Sequence, residues 1–252
     1  MKINHDPESL ANIESERGRV DNLVILLMGK KRVGKNTAAQ VIKREIESRI
    51  EVSVGADGEV DKGFVVREFA FASELRYHLS ILNPIVSLTG NYRWNDALEK
   101  YGYETAKEKF PEMRRLMEIY GTQVIRERVS ENYWANKLLR EIEDFNSGAN
   151  EAGYRTVSIV TDCRFPNELD VFDYGSYLGG TVEVVGIERS DVDDGDNHAS
   201  NAGLNAIFVT KNKSISILRI IDNNGDLEQF DGVIRKTWQC IKNRKEILRS
   251  RY

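Results

Sequence analysis

What this sequence has little of narrows it first. Two cysteines and three histidines occur in 252 residues. Neither Cys163 nor Cys240 sits in a C-x-x-C or Cys/His spacing, which excludes a disulfide framework and a structural zinc site and fits two unpaired thiols in a reducing compartment. His5, His78 and His198 are too scattered for a catalytic set. No stretch approaches the roughly 20 apolar residues of a membrane span. The opening "MKINHDPESLANIESERGRVDN" is too polar for a signal peptide. The expectation is a cytoplasmic protein. A formal charge of −4 shows no excess of either sign, which argues against a broad surface for a nucleic-acid polymer. An anionic partner must then be gripped by a local cluster. Repeats and low-complexity segments are also absent.

What is present is an ordinary globular composition, 40% hydrophobic and 30% charged, in a chain long enough for a sizeable core. Residues 1–22 read as an N-terminal extension in which Asp6 and Pro7 can start a short helix. From "LVILLM" onwards, residues 23–252 read as one domain. That apolar run ends at Gly29 and suits a strand buried on both faces of a parallel sheet. Helical spacing follows from Lys35, with Ala38, Ala39, Val41, Ile42 and Ile46 on one side. A Gly/Asp-rich passage leads to a second strand in "FVVREFAFA" and a helix through "SELRYHLSIL" that stops before Pro84. Residues from about 83 to 130 read as an insertion over a binding face, beginning with a mixed aromatic stretch. "PEMRRLMEIYGTQVIRERV" and "SENYWANKLLREIEDF" read as helices. "YRTVSIVTD", "TVEVVGIE" and "SISILRIID" read as further strands. After the turn "NNGD" comes a long helix with Ile234, Trp238 and Ile241 on one face. Strands alternating with helices predict an α/β fold in three layers, α/β/α, with a mostly parallel sheet.

Three anchors carry chemistry. The first, "LLMGKKRVGKNTAAQ", is G-x-x-x-x-G-K between a strand and a helix, the context in which that pattern cradles phosphate. Loop amides from Gly29 to Lys35 and the Lys35 ammonium would face a nucleotide's phosphates. Lys30, Lys31 and Arg32 make the loop basic, and Asn36 stands where a magnesium-binding hydroxyl is usual. Thr37 supplies a hydroxyl one residue late. No N-K-x-D string accompanies the loop, which sets a GTPase aside. G-K-x-T resembles nucleoside monophosphate kinases.

The second anchor, "VTDCRFPNE", puts Asp162 and Arg164 at the end of a strand and Glu168 in the first turn of a helix opened by Pro166. In an open α/β sheet these side chains share the crevice with the phosphate loop. A carboxylate there can orient metal-bound water or a sugar hydroxyl and Arg164 can grip phosphate, or the group is a salt-bridged helix start. In the third anchor, Arg114 and Gly121, and Arg115 and Thr122, are seven residues apart and fall on one helical stripe. The arginines either point to one region or are solvated. Trp134 is either core or a stacking platform for a base.

Together these anchors resemble a bacteriophage-type deoxynucleoside monophosphate kinase over residues 23–240. "DCRFPNE" and "GT" followed twelve residues later by tryptophan are the distinctive parts. The resemblance implies a P-loop kinase fold, with a helical substrate-binding insertion and a small lid at about 189–203. It implies γ-phosphoryl transfer from ATP to deoxynucleoside 5′-monophosphates (dNMPs), magnesium dependence, a homodimer and, if phage-encoded, a place in the host cytoplasm. By the same resemblance Lys31, Arg32, Gly34, Lys35, Asn36 and Thr37 occupy ATP-binding positions. Arg76, Arg114, Arg115, Gly121, Thr122, Trp134, Asp162, Arg164 and Glu168 occupy deoxynucleotide-binding positions. The family's P-loop often reads G-K-D-T and its later histidine is followed by Ser-Glu, so Asn36 and Asn201 replace two carboxylates.

Because phosphoryl transfer needs alignment and charge neutralisation, cations should dominate. Lys35, Arg164 and Asp162 are the expected catalytic set. Arg76, Arg114 and Arg115 would hold the acceptor phosphate, with Arg126, Arg128 and Arg189 as further cations near nucleotide. Thr37 is the expected metal contact. "ERSDVDDGDNHASNAG" reads as a lid or as a plain acidic loop. The competing functions are a P-loop kinase of the dephospho-coenzyme A or phosphomevalonate type, and an ATP-binding switch. The second group of arginines argues against the switch.

Overall fold

The computed structural model describes residues 22–48, 53–54, 60–173, 180–190 and 218–249. The N-terminal extension and, beyond Ser190, the acidic segment expected to form a lid lie outside the described residues, as do His5, His198 and Asn201. Strand β1 (Asn22–Met28) is buried along its whole length, as a continuous apolar run requires when helices cover both faces of the sheet. It is followed by α1 (Lys35–Glu47). A two-stranded antiparallel pair, β2 (Ser53–Val54) and β3 (Val60–Asp61), forms in the Gly/Asp-rich passage, where no strand was expected. Then come β4 (Phe64–Phe69) and α2 (Ala72–Leu82), which ends on Asn83 in the left-handed conformation just ahead of Pro84. The insertion contributes α3 (Trp94–Tyr101), α4 (Tyr103–Lys109) and α5 (Pro111–Glu118). The rest is α6 (Tyr133–Glu151), β5 (Arg155–Cys163), α7 (Pro166–Asp173), β6 (Gly180–Glu188), β7 (Leu218–Asp222) and α8 (Leu227–Arg249).

The sheet order is β4-β5-β1-β6-β7, and every neighbouring pair is parallel. One face packs on α1 through Ala38, Ala39, Val41, Ile42 and Ile46, and on α8 through Ile234, Trp238 and Ile241. The other face packs on α6 and α7 through Ala135, Leu138, Ile142, Leu169 and Phe172. The α/β/α layering read from the sequence is therefore present. A third core, around Trp94, Met113, Leu79 and Trp134, holds the insertion helices to α2 and α6.

One helix expected from the sequence is not regular. Residues Ile119–Arg126 form a π-helical segment continuing α5. Wide turns show in the Glu127 amide bonding back to the Thr122 carbonyl and the Ser130 amide to that of Ile125. The seven-residue stripe argument for Arg114 with Gly121 and Arg115 with Thr122 assumed 3.6 residues per turn. It fails here because a π turn holds more residues and rotates each later position off the stripe.

Candidate functional site

The phosphate loop joins β1 to α1 at the carboxyl end of the sheet's central strand. Gly29 has φ +140° and Gly34 φ +105°, backbone that side chains resist. Space excludes a side chain at both positions as well. A Cβ on Gly29 would lie 2.4 Å from the Ile187 carbonyl oxygen, and one on Gly34 would lie 2.7 Å from Asn223 Nδ2. Arg32, at φ +65°, takes the left-handed conformation without being glycine. Asn223 is buried, donates Nδ2–H to the Val33 carbonyl at 2.8 Å and donates its amide to the Glu188 carbonyl. The loop is thus pinned from β7. Sequence reasoning missed Asn223, which it passed over as part of a turn.

Lys35 begins α1 and is 8% exposed. Its ammonium donates to the carbonyls of Gly29 at 2.7 Å and Lys30 at 2.5 Å, folding the loop around one positive charge. Burial lowers its pKa from 10.5 to about 8, helped by repulsion from Arg164 and opposed by attraction to Asp162. Lys35 therefore shares one electrostatic neighbourhood with Asp162 and Arg164, 127 and 129 positions further along the chain. Asn36 is exposed and Thr37 half-buried in the first turn of α1. Lys31 is half-buried, and Arg32 lies 3.9 Å from Glu108 on α4, both exposed. That pair brings the end of α4 near the loop.

Asp162 is brought there by an irregularity. The β1–β5 register passes from Leu26↔Val160 to Met28↔Cys163. The extra residue on β5 bends the strand end, as a bulge does. The Asp162 carboxylate accepts the Phe71 amide on Oδ1 at 2.8 Å and the Ala72 amide on Oδ2 at 3.1 Å. It therefore satisfies donors at the start of α2, where the helix dipole favours an anion.

One turn into α2 stands Arg76. Its guanidinium donates to Ser73 Oγ at 3.1 Å and lies 5.1 Å from the Tyr103 ring centroid. Lys107 covers the same ring at 4.6 Å and pairs with Glu104 at 2.8 Å. Arg114 Nε donates to the Lys107 carbonyl at 3.3 Å. Contacts consequently run from Asp162 through α2 to Arg76, Tyr103, Lys107 and Arg114. Tyr103 and Lys107 are additions that the sequence reading did not single out; an aromatic with a cation four positions away in "YETAKEK" was the available signal. Arg115 is exposed and forked onto Glu112 one turn earlier on α5. Arg128 is exposed, and Arg189 is the exposed residue just past β6.

Two expected substrate contacts are engaged inward. Trp134 is 3% exposed and its indole N–H donates to the Gly121 carbonyl at 3.0 Å. His78, Tyr120 and Tyr133 pack around the ring. It takes the core alternative. Gly121 packs close to α2, since a Cβ there would meet Leu75 Cδ2 at 3.0 Å; Thr122 beside it is half-buried. Glu168 is 2% exposed. Its Oε2 accepts the amides of Arg164 at 2.7 Å and Phe165 at 3.0 Å, and its Oε1 accepts Arg126 Nη2 at 2.5 Å. Burial raises the Glu168 pKa from 4.5 to about 7 against the pull of Arg126 and the Arg164 amide. Burial and the nearby carboxylates of Glu168 and Asp162 also push the Cys163 thiol well up. Both cysteines are free thiols.

Among the described residues no helix is long and apolar enough to cross a membrane. None of their His, Cys, Asp and Glu side chains form a group of three that could hold a metal ion. Among the described residues, the Thr37 hydroxyl in the first turn of α1 and the Asp162 carboxylate, which already accepts two amides, offer oxygen toward the loop. That set suits magnesium held chiefly by phosphate oxygens and water, which needs one or two protein contacts.

A family model described as deoxynucleotide monophosphate kinase matches residues 89–234. No curated protein matches. Among solved structures, Chaetomium thermophilum Kti12 in complex with ADP-AlF3 is 13% identical, with 86% of this chain and 97% of that one covered and a TM-score of 0.43. The hexameric APS kinase from Thiobacillus denitrificans is 14% identical, with a TM-score of 0.39. Its alignment covers 97% of this chain and 34% of that one, so this chain spans about a third of its length.

Proposed function

Because the chain belongs to the deoxynucleotide monophosphate kinase family, we propose that it transfers the γ-phosphoryl group of ATP to a deoxynucleoside 5′-monophosphate, giving the diphosphate. The observation that carries this reading is the joining of two cationic groups by one carboxylate. Asp162 lies in the electrostatic field of Lys35 and bonds the start of the helix bearing Arg76. A switch with one nucleotide pocket has no use for the second group.

In this reading the loop amides and Lys35 hold the ATP phosphates, with Lys31, Arg32 and Gly34 shaping the loop. On binding, the Lys35 ammonium exchanges the carbonyls of Gly29 and Lys30 for phosphate oxygens. Arg76, Arg114 and Arg115 take the acceptor phosphate and hold it in line. Arg164 faces the charge that spreads over the equatorial oxygens as the phosphoryl group moves between donor and acceptor oxygens. Magnesium, when bound, would supply further charge neutralisation, with Thr37 as its protein contact and Asn36 beside it. The homodimer implied by the family resemblance belongs to this proposal. Exposed Tyr77, Ile81 and Leu82 on α2, with Ile85 and Leu88 just beyond it, give an apolar surface that supports it.

The test is ADP release measured with ATP alone and with each dNMP in turn, alongside dephospho-coenzyme A and phosphomevalonate. Stimulation by one or more dNMPs supports the proposal. Stimulation by another acceptor instead reassigns the kinase, and ADP release indifferent to every acceptor favours the switch.

A further inference from the structure

The turn between β5 and α7 carries Arg164, and an unusual amount of buried chemistry is spent on its backbone. Glu168 reaches back from the first turn of α7 to accept two consecutive amides, those of Arg164 and Phe165. Its other oxygen receives Arg126, the last residue of the π-helical segment, whose side chain is 12% exposed. The Arg126 guanidinium also lies 4.1 Å from the Phe165 ring centroid, and its Nη1 is 3.4 Å from Asn167 Oδ1. Asn167 continues the attachment, donating Nδ2–H to the Glu131 carbonyl at 3.1 Å and to Asn132 Oδ1 at 2.9 Å. Four residues of one turn, Arg164, Phe165, Asn167 and Glu168, are thereby fastened to the helical layer.

We propose that Arg126 and Glu168 are positioning residues, which fix the Arg164–Phe165 backbone so that the Arg164 guanidinium is presented to the phosphate loop, and that neither touches substrate. This rests on the kinase reading above, and it departs from the substrate contact that the family resemblance implies for Glu168. Glu168 is surrounded by donors: three N–H groups satisfy both oxygens of a carboxylate that is closed to solvent. Oε1 could accept one more bond, but with Glu168 only 2% exposed a substrate hydroxyl has no open path to it, and displacing Arg126 to make one would leave a guanidinium unpaired at a cost. Arg126 is committed in the same way, with its charge on Glu168 and its plane against Phe165. A residue meant to follow a moving phosphoryl group would be held less completely. Arg164 is close enough to Lys35 to lower that lysine's proton affinity, so a small displacement of its backbone alters the charge at the loop.

The experiment is a double-mutant cycle on kcat and on ATP affinity, using Arg126→Gln, Arg164→Ala and the double variant. Melting curves confirm that each is folded at the assay temperature. The expected result is a fall in kcat of roughly 30-fold for Arg126→Gln in the parent, about 2 kcal/mol, but less than about twofold once Arg164 is absent. Arg126→Lys, which keeps the charge and loses the fork and the stacking, should recover part of the loss. If Arg126→Gln does not fold, Arg126→Lys and Glu168→Gln carry the cycle with the same expected non-additivity. Equal losses with and without Arg164 would overturn the proposal and place Arg126 on the substrate. ATP affinity, read by calorimetry, needs no acceptor. If the parent turns over no dNMP, the kinase reading fails by itself and the cycle on ATP affinity still decides: coupling of Arg126 to Arg164 supports positioning, and additivity or no effect of either removes it.

Discussion

At the phosphate loop the positioning contacts come from backbone and buried groups. Two glycines at positive φ, the Lys35 ammonium on two carbonyls and Asn223 on the Val33 carbonyl hold it. Across the crevice, Arg114 and Arg115 are exposed and rest on their own helical layer, Arg114 on the Lys107 carbonyl and Arg115 on Glu112. One side is formed before any ligand arrives, whereas the other keeps its cations in water on partners that solvent screens. Rigid charge suits the stabilisation of a transition state, and solvated charge suits capture of an anion that must come and go. Changes at the loop should therefore appear in turnover and stability, and changes on α5 in acceptor affinity.

Lys35→Ala should give the largest effect, a loss of turnover of at least about a thousandfold in a fold that stays intact. Near-normal turnover would break the assignment of the loop. The same residue predicts a pH dependence in the empty protein. Its folded pKa of about 8 lies below the ordinary 10.5, so the unfolded chain binds the proton more tightly. Stability contributed at Lys35 should then rise as pH increases from about 8 to 10.5, while ATP affinity falls over the same window. Melting and binding measured against pH, with Lys35→Met as the control, check both signs.

Next in size is Gly34→Ala. Positive φ and a Cβ 2.7 Å from Asn223 Nδ2 should destabilise the fold by about 3 kcal/mol, lowering Tm by roughly 6–12 °C. A melt unchanged from the parent would mean that the loop is less fixed than its contacts imply.

Arg114→Ala and Arg115→Ala should each weaken dNMP binding about tenfold to a hundredfold, with ATP affinity changed by less than about threefold. Calorimetric titration of each nucleotide separates the two sides of the crevice, and equal losses for both would erase the contrast drawn between them. The smallest effect is expected at the metal. Asn36→Asp adds a full negative charge and should lower the magnesium concentration for half-maximal activity by a few fold, and Thr37→Val should raise it. Three coincident titration curves would leave Asn36 as a helix-start residue only.

The sequence by itself determined the parts whose geometry is local. The run "LVILLM" is apolar on both sides and so becomes a central strand, and G-x-x-x-x-G-K carries in its own residues the glycines and the lysine that turn the chain into α1. The helix faces of α1 and α8 follow from spacing alone, as the burial of Ala38, Ile42, Ile234 and Trp238 shows. The chemistry-bearing residue types in "DCRFPNE" could also be read, but not what their side chains touch. Asp162 meets the start of α2 across 91 positions, Arg126 meets Glu168 across 42, and Asn223 meets the loop across 190. The sequence carries such pairs as isolated letters, because a hydrogen bond between distant residues exists only after the sheet order has brought them together. The inward turn of Trp134 and Glu168 was decided in the same way. An indole and a carboxylate can face ligand or core with equal local propensity. Packing against Gly121 and the cost of leaving Arg126 unpaired make the choice.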